Sequence, residues 1–326
     1  MRLRKRIPIF LMVFFVSAFK LVSQNPEPSG YPQEVLTGTY LINVFDLDIN
    51  RHSFYVDCYI WFKWKGDLDP MNIEFVNAVD KWGATMAPFY EEPKQLEDGY
   101  FYNGMRYEGR FYHAFNLEKF PLDHHFLDMQ IENVDYSIDS LIYIPDTHSA
   151  YVREDFHLPG WDILGLDVKS ESHTYPVNFG DMEKTSTGFS NFMLQLHLRR
   201  PMNYFLLKLL LPVLIVIIAS LGALLIHPAS IDARISLPIG GLLSAVFLQQ
   251  SYSAALPDVG YMVLMDKIYL LVYALIAAVM LRVVVAGNRV TGLKKAADTS
   301  SIMKRDRWMI IGFMLAFSLG ILILVY

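Results

Sequence analysis

The sequence predicts an α+β protein in two parts, an extracellular antiparallel β-sandwich followed by a four-helix transmembrane bundle. Residues 36–200 contain short runs of alternating apolar and polar residues separated by turn residues, the pattern of half-buried strands. Beyond residue 205 the chain has apolar stretches long enough to cross a bilayer. The whole chain is 53% hydrophobic, with a mean hydropathy of +0.27, which argues against a soluble cytosolic enzyme.

The N-terminus has the layout of a secretory signal peptide, predicted over residues 1–23. Four basic residues lie among the first six, and the apolar run Ile7–Val16 that follows is too short to span a membrane. Cleavage is predicted after Ala18 or Ser23, with Ser23 preferred, and an uncleaved anchor is the alternative. Residues 24–35 then form an N-terminal extension of the exported part.

The predicted sandwich covers residues 36–200 and is a ligand-binding domain if the chain is a receptor. Its clearest strands are Leu41–Val44, Phe54–Trp61 and Phe192–Leu198, and turn pairs lie at Asp98-Gly99, Asn103-Gly104 and Pro159-Gly160. Because Cys58 is the single cysteine, an intrachain disulfide and a Cys-based zinc cage are excluded. Residues 24–200 carry 28 acidic and 13 basic side chains, which argues against nucleic acid as a partner.

Residues 201–326 are predicted to form the transmembrane domain, with helices at about 202–226, 233–256, 261–286 and 306–326. The second span is the most polar and carries Ser236, Ser244, Gln249, Gln250 and Ser251. Unpaired polar groups are costly in hydrocarbon, so we expect these residues to form a stripe that faces water.

A short cytoplasmic loop is predicted at residues 287–305. Between Asn288 and Arg307 the chain has six basic and two acidic residues, which indicates the cytoplasmic side by the positive-inside rule. With four spans, residues 24–200 then lie outside, in agreement with the signal peptide.

No catalytic or metal-binding motif is found, and no cofactor is predicted. His124 and His125 are adjacent, so on a strand they point to opposite faces and cannot easily share a metal ion. The chain has no Gly-rich phosphate loop, nucleophile elbow or zinc helix. No constellation of residues supports a membrane-anchored enzyme.

Several motifs in consistent order carry a family resemblance. Thr37–Ile42, Leu47-Asp48 and Trp64-Lys65 resemble the first two strands of prokaryotic pentameric ligand-gated ion channels of the Cys-loop receptor superfamily. Phe120-Pro121-Leu122-Asp123 is similar to the Phe-Pro-x-Asp turn of that superfamily, Gly160–Ile163 to the start of its ninth strand, and Arg200 with Tyr204 and Pro212 to the entry of its first helix. His113 and Leu127 replace the bridging cysteines of animal members.

The resemblance implies that five copies of the second helix line a pore. The implied pore-lining residues are Asp232, Ser236, Gly240, Leu243, Phe247 and Gln250. Their spacing of three and four keeps them on one helix face. The Asp232 side chains of five subunits are implied to form a ring that selects cations. Alternatively, Asp232 is a solvated acid beside Arg234. Leu243 and Phe247 are implied as the gate, with packing between helices as the alternative. Pro238 departs from the usual family helix and raises the question of a kink.

The resemblance also implies an agonist site between subunits, walled by aromatic rings. One subunit would supply Phe89, Tyr90, Tyr136, Tyr175 and Phe179, and its neighbour Tyr59 and Trp61. Aromatic faces attract amines by cation–π interaction, although any of these rings could instead belong to the core. A proton or a divalent ion is the alternative signal, with His113, His124 and Glu183 as candidate titrating groups.

A coupling site is implied where the sandwich meets the helices. Asp123 is expected to pair with Arg200, with Asp48 nearby. Phe120 and Pro121 are expected to press on the outer loop from Pro257 to Tyr261. An ion pair that only stabilises the fold is the alternative interpretation.

The sequence therefore predicts a homopentameric, cation-selective channel of a bacterial inner membrane, opened by a small-molecule agonist (amine or proton) and conducting monovalent cations. The expected partners are the lipid bilayer and further copies of the chain, with no nucleic acid. The alternative is a membrane-tethered β-sandwich receptor or binding protein that does not conduct ions.

Overall fold

The computed structural model describes residues 31–180, 187–292 and 297–325. The predicted signal peptide, most of the predicted extension and Glu183 lie outside the described residues. The strands are β1 Gln33–Asp48, β2 Ser53–Trp64, β3 Ile73–Phe75, β4 Ala78–Val79, β5 Thr85–Pro88, β6 Lys94–Gln95, β7 Phe101–Tyr112, β8 His124–Asn133, β9 Leu141–Val152, β10 Asp162–Thr174 and β11 Gly188–Arg199.

The strands form two sheets, which confirms the predicted sandwich. The seven-stranded sheet has the order β4-β7-β2-β1-β9, with β5 and β6 also paired to β7, and the four-stranded sheet has the order β10-β11-β8-β3. Pairing is antiparallel throughout except between β1 and β9, which run parallel. The sequence predicted only antiparallel strands. The parallel pairing was missed because β9, which lies beside β1, is distant from it in the chain.

The core lies between the sheets and follows the period-two pattern of the strands. Alternate residues of β2 from Phe54 to Trp64 are buried, as are alternate residues of β11 from Phe192 to Leu198. Cys58 is fully buried there, and its Sγ lies 3.8 Å from Met129 Sδ across the two sheets. Burial raises the pKa of the Cys58 thiol.

Four helical segments are long and apolar enough to cross a membrane, which supports a multi-pass membrane protein. The first begins as a π-helix at Tyr204–Leu210, continues as α1 Leu211–Gly222 and ends in a 3₁₀ turn at Ala223–Leu225. The others are α2 Ile231–Ser253, α3 Leu264–Gly292 and α4 Ala297–Val325.

Helices α3 and α4 extend into the predicted loop 287–305, so the bounds of both differ from the prediction. Hydropathy marks only the apolar part of a helix, and both helices continue into polar sequence. Helix α2 continues through Pro238.

Helix α2 packs against α1 and α3, whereas α4 packs against α3 and the 3₁₀ turn. The approach of α1 to α2 is very close at Gly241, where an added Cβ would lie 2.0 Å from Ser220 Oγ. A larger residue at this position would displace the Ser220 hydroxyl from its hydrogen bond to the Val216 carbonyl.

Candidate ion pathway, coupling junction and ligand site

Helix α2 has a buried face and an exposed face within the subunit. The buried residues are Arg234, Pro238, Gly241, Ala245 and Tyr252. The six predicted pore-lining residues, Asp232, Ser236, Gly240, Leu243, Phe247 and Gln250, are all exposed. At about 100° per residue, this exposed stripe lies on nearly the opposite side of the helix from the buried face. The stripe is therefore free to face something other than its own subunit.

The prediction that the polar residues of α2 face water was wrong for one of them. Gln249 is half-buried, and its Oε1 accepts a hydrogen bond from the Tyr273 hydroxyl of α3. Polar residues in a span can be satisfied by a neighbouring helix as well as by water. Composition alone does not separate these two cases.

Asp232 lies in the first turn of α2, exposed, and Ser236 Oγ donates a 2.7 Å hydrogen bond to its backbone carbonyl. A carboxylate in this position interacts favourably with the helix dipole. Arg234 does not pair with Asp232, because its side chain is fully buried and bound to other partners.

Those partners form an ion cluster that we call the inner triad, made of Arg234, Arg282 and Asp306. Arg234 Nη2 lies 2.5 Å from Asp306 Oδ2, and Arg282 Nε donates to Asp306 Oδ1 at 2.8 Å. Arg234 Nε also donates to the carbonyl of Ala223 at 2.9 Å. The side chains of Arg234, Arg282 and Asp306 are 0%, 8% and 0% exposed. They lie on α2, α3 and α4, and Arg234 also binds the 3₁₀ turn that ends the first span, so the triad connects all four spans.

Sequence reasoning missed the inner triad. Asp306 was counted only as an acidic residue of a basic loop, and Arg234 only as a neighbour of Asp232. The signal that could have found it is Arg282, a charged residue inside an apolar span, which requires a buried partner.

Leu243 and Phe247, the predicted gate, are 57% and 66% exposed. Packing inside the subunit therefore covers only a minor part of either side chain. Other spans expose large apolar side chains to the same degree, so this exposure suits lipid, another subunit or a dry constriction alike.

The predicted ion pair is present where the sandwich meets the helices, in a cluster that we call the coupling junction: Asp123, His125 and Arg200. Arg200 Nε donates to Asp123 Oδ1 at 2.8 Å, and His125 Nε2 lies 2.6 Å from Asp123 Oδ2. The Arg200 guanidinium also lies over two rings, 4.3 Å from the centroid of Trp161 and 4.9 Å from that of Phe120. Cation–π contacts of this kind add to the ion pair.

Asp123 is 2% exposed and its pKa is lowered. Burial by itself would raise the pKa, but the hydrogen bond with His125 and the charge of Arg200 outweigh it. His125 is 3% exposed and was not identified from the sequence as part of this site. His124 is exposed on the other face of β8, as the period of a strand predicts.

Asp48 does not join the coupling junction. Its Oδ1 accepts hydrogen bonds from the backbone amides of Asn50 at 2.9 Å and Arg51 at 3.0 Å, in the turn after β1. No ion pair between Asp48 and Arg200 is found among the described residues. The Asp48 carboxylate, which the resemblance implied to lie near Arg200, accepts hydrogen bonds within its own turn.

The Phe-Pro turn lies against the end of α2. Phe120 and Pro121 are buried, and the Phe120 ring stacks on Tyr252 near the end of α2, with centroids 6.4 Å apart. Close to the turn, the Leu117 amide donates to the hydroxyl of Tyr261 in the outer loop at 2.9 Å. The turn therefore touches the candidate pore helix directly.

The seven aromatic residues predicted for the ligand site divide into two groups. Tyr175 and Phe179 form one ring pair 5.1 Å apart after β10. Tyr59 and Phe89 form another, 5.8 Å apart, on the seven-stranded sheet. Phe89, predicted on the same side of the site as Tyr175, contacts Tyr59 within the subunit.

The remaining three rings, Trp61, Tyr90 and Tyr136, each have other contacts. Trp61 packs over Gly38 within the seven-stranded sheet. Tyr90 lies beside Tyr102 and under Lys94, whose Nζ is 3.7 Å from the ring centroid. Tyr136 is half-buried and packs against the hydrophobic core.

A buried carboxylate lies beneath Tyr175. Glu132 is 1% exposed, and its Oε1 lies 2.5 Å from His173 Nδ1 and accepts a hydrogen bond from Asn191 Nδ2 at 2.7 Å. The Tyr175 hydroxyl donates to Glu132 Oε2 at 3.0 Å. Burial and the Glu132 charge raise the pKa of Tyr175. Sequence reasoning missed Glu132 and His173, which lie on different strands.

Among the residues that the structure describes, no group of three or more His, Cys, Asp or Glu side chains could hold a metal ion. The candidate sites are thus made of ion pairs, aromatic rings and an exposed helix stripe.

Comparison with known proteins gives related sequences, although no protein-family model matches the chain. It is 23% identical over 326 residues to a proton-gated ion channel of Gloeobacter violaceus, with 94% of this chain and 86% of that protein covered. It is 24% identical over 270 residues to gamma-aminobutyric acid receptor subunit alpha-2 of Rattus norvegicus, with 74% of this chain and 57% of the receptor subunit covered. The chain thus spans little more than half the length of the receptor subunit.

Proposed function

Since the chain belongs to the superfamily of pentameric Cys-loop ligand-gated ion channels, a non-enzymatic family, we propose that it forms a homopentameric, cation-selective ligand-gated channel. We place it in a bacterial inner membrane with the sandwich on the periplasmic or extracellular side. The basic residues between α3 and α4 support this orientation, because such residues favour the cytoplasmic side.

The observation that carries the proposal is the exposed stripe of α2, opposite the face that packs on its own subunit. Five copies of the stripe around an axis would form rings of like side chains. A ring of Asp232 carboxylates at the inner mouth would attract cations and repel anions. The names of the relatives do not specify the sign of the conducted ion, so cation selectivity rests on Asp232.

The test is the reversal potential of purified protein in planar bilayers under a salt gradient. Asp232→Ala is expected to weaken the cation preference and Asp232→Lys to reverse it, because they remove or invert a fivefold charge ring. Asp139→Asn removes an exposed carboxylate of the sandwich and should leave the potential unchanged. An identical reversal potential in all four proteins would reject Asp232 as the selectivity residue.

We assign the gate to Leu243 and Phe247. Serine at either position would wet an apolar ring, so spontaneous current or a raised agonist sensitivity is expected. Leu237→Ser is the matched control, because Leu237 is exposed on α2 but away from the stripe. If both gate variants stay closed without agonist and keep the wild-type sensitivity, the constriction lies elsewhere, with Ser236 as the next candidate.

We place the agonist site under the chain segment that follows β10, where the Tyr175 hydroxyl donates to the buried Glu132 and the Phe179 ring packs against Tyr175. The neighbouring subunit would supply Tyr59 and Trp61. A carboxylate beneath aromatic rings suits a cationic amine, because charge attraction and cation–π interaction act together. One relative is named for an amine, gamma-aminobutyric acid, and another for protons, so both classes of signal are represented.

The amine and proton alternatives are separated by substitution. With an amine panel as probe, Tyr175→Ala or Phe179→Ala should reduce apparent affinity by about 0.5–2 kcal/mol per ring and leave single-channel conductance unchanged. Tyr151→Ala removes an exposed ring of β9 and serves as control. If pH alone opens the channel and both variants respond fully, the amine site is rejected and substitutions at His113, His124 and Glu183 become decisive.

A membrane-tethered binding protein is distinguished by the same recordings. Such a protein would bind the amine in a direct binding assay and yet carry no current at any pH or agonist concentration. That combination would overturn the channel proposal and keep the ligand site.

A further inference from the structure

The carboxylate of Glu132 is already bound by three side chains of its own subunit. His173 Nδ1 lies 2.5 Å from Oε1, and Asn191 Nδ2 donates to the same oxygen at 2.7 Å. The Tyr175 hydroxyl donates to Oε2 at 3.0 Å. Because Glu132 is 1% exposed, an ammonium group can reach its oxygens only if one of these partners moves. A ligand cation therefore has to compete with a side chain that is already in place.

Of the three partners, His173 is the one that both reaches solvent and changes its charge. Its side chain is 40% exposed, whereas Asn191 is 3% exposed and carries no charge. Burial and the charge of Glu132 raise the pKa of Tyr175, so its hydroxyl stays neutral near neutral pH. Histidine changes between its neutral and its positive form between pH 5 and pH 8.

The other charged groups around His173 are mostly acidic. Glu132 faces it from β8, and Glu74 lies opposite Glu132 in the pairing of β3 with β8. On β10 itself, Glu171 is paired with Lys169 at 2.7 Å, and the adjoining end of β11 carries no charged side chain. Among the described residues, His173 is the one basic side chain that forms an ion pair with Glu132. The charge of this cluster is thus negative when His173 is neutral, which favours a bound cation.

We propose that His173 and a cationic ligand bind Glu132 in competition, so that His173 is a pH-dependent competitor built into the agonist site. The protonated imidazole forms an ion pair with Glu132 and repels a second positive charge. The neutral imidazole can turn to solvent and leave the carboxylate to the ammonium group of the ligand. The proposal rests on the proposed function in placing an amine beside Glu132.

Acid should therefore weaken ligand binding. Because the ligand and the proton on His173 exclude each other, binding releases that proton, and affinity rises with pH over the range in which histidine titrates. Two unit charges about 6 Å apart, at an effective dielectric constant of about 40, change a binding constant roughly tenfold. This direction is the reverse of the effect expected if protons were the opening signal.

The test is calorimetric titration of n-butylamine into the full-length protein in phosphatidylcholine nanodiscs. An alkylammonium group, like that of lysine, stays protonated below about pH 9, so the charge of the ligand is constant. The Kd should fall roughly tenfold from pH 5.5 to pH 7.5, a range above the ordinary titration of carboxyl groups. At pH 6.5, titrations in two buffers of different ionisation enthalpy should show that binding releases protons.

Three variants identify the group that titrates. His173→Gln should have the same Kd at pH 5.5 and pH 7.5 and release no proton, and His173→Asn is the second variant if the first does not assemble. His197→Gln is the matched control, because His197 pairs with Asp167 at 3.2 Å at the other end of β11. This control should keep the pH dependence. Tyr175→Phe should keep it too, since the contact between His173 and Glu132 remains.

The outcomes separate this proposal from the proposed function. A wild-type Kd that is equal at pH 5.5 and pH 7.5, or a pH effect that persists in His173→Gln, would overturn the competition and leave the amine site in place. Absence of binding at every pH, in wild type and His173→Gln alike, would reject the amine site and the competition with it. Binding is measured without current, so a protein that shows the pH effect but conducts no ions would reject the channel and keep the competition.

Discussion

At the outer end of the helix bundle one arginine meets one aspartate and one histidine, whereas at the inner end two arginines share one aspartate. The coupling junction holds Arg200 between two aromatic rings and joins the sandwich to the first span. The inner triad joins helices only. Each cluster has a buried guanidinium nitrogen without an acceptor among the described residues, Nη2 of Arg200 and Nη1 of Arg234. At the outer end one guanidinium group meets one carboxylate, whereas at the inner end two guanidinium groups meet one.

The two clusters differ in what they connect. The coupling junction connects two domains, because Asp123 belongs to the sandwich and Arg200 leads into the first span. The inner triad connects helices of one bundle and is buried throughout. We therefore expect the outer cluster to transmit a signal between domains and the inner cluster to fix the position of α2.

The largest effect is expected from breaking the inner triad. Asp306→Ala leaves two buried guanidinium groups without a counter-charge, which should cost about 3–5 kcal/mol of stability. The measurement is the temperature at which the detergent-solubilised protein loses its oligomeric elution peak.

The matched control replaces the whole inner triad by apolar residues of similar volume, with Arg234→Met, Arg282→Met and Asp306→Leu together. A buried ion cluster replaced entirely is often neutral in stability, so this variant should melt near the wild type. A single Asp306→Ala variant that melts at the wild-type temperature would show that the triad does not hold α2.

A smaller loss of stability is expected at the coupling junction. Asp123→Ala removes a charged hydrogen-bond partner of Arg200 and His125, at a cost of about 1.5–3 kcal/mol. Because this cluster joins the two domains, the agonist response should fall although the oligomer still assembles. The double variant Asp123→Ala, Arg200→Ala gives the coupling energy between the two side chains. Additive losses would contradict a direct role of the pair.

The contribution of Asp123 to stability should depend on pH. Because the pKa of Asp123 is lowered in the folded protein, its contribution is fully present above the unfolded value of about 3.9 and is lost as the pH falls through the folded value. The stability difference between wild type and Asp123→Asn should thus be constant from neutral pH to about pH 4 and shrink below. Thermal melting across this range checks it, and a difference that disappears between pH 7 and pH 5 would refute it.

The smallest effect is expected from Arg200→Lys. Lysine keeps the charge beside Asp123 but loses the planar stacking on Phe120 and Trp161, which should cost about 1 kcal/mol. The measurement is the agonist concentration for half-maximal current, together with the melting temperature. Arg234→Lys at the inner end should cost more, because Arg234 uses separate nitrogens for Asp306 and the Ala223 carbonyl.

The sequence was sufficient to predict what depends on local pattern. The alternation of apolar and polar residues predicted the sandwich, and hydropathy predicted the four spans. The spacing of residues along α2 predicted the exposed stripe. The Asp123–Arg200 pair was predicted because a family resemblance linked two distant motifs. None of these inferences required knowledge of the packing between elements.

Most of the contacts that the sequence did not reveal involve residues far apart in the chain, although Asp123 and His125 are only two residues apart. Glu132 meets His173 and Asn191 only because three strands lie side by side, and Arg234 meets Asp306 only because α4 returns to the start of α2. The contact between Phe89 and Tyr59 likewise depends on the pairing of β5 with β7 and of β7 with β2. A parallel partner for β1 likewise has no local signal.

The buried position of Cys58 has a practical consequence for mapping the pore. It is the single thiol of the chain, lies 0% exposed between the sheets and has a raised pKa, so it is poorly reactive toward water-soluble alkylating reagents. A cysteine introduced along α2 would be the one accessible thiol in the native protein. Rates of modification with and without agonist would then report, position by position, which side chains meet water when the channel opens.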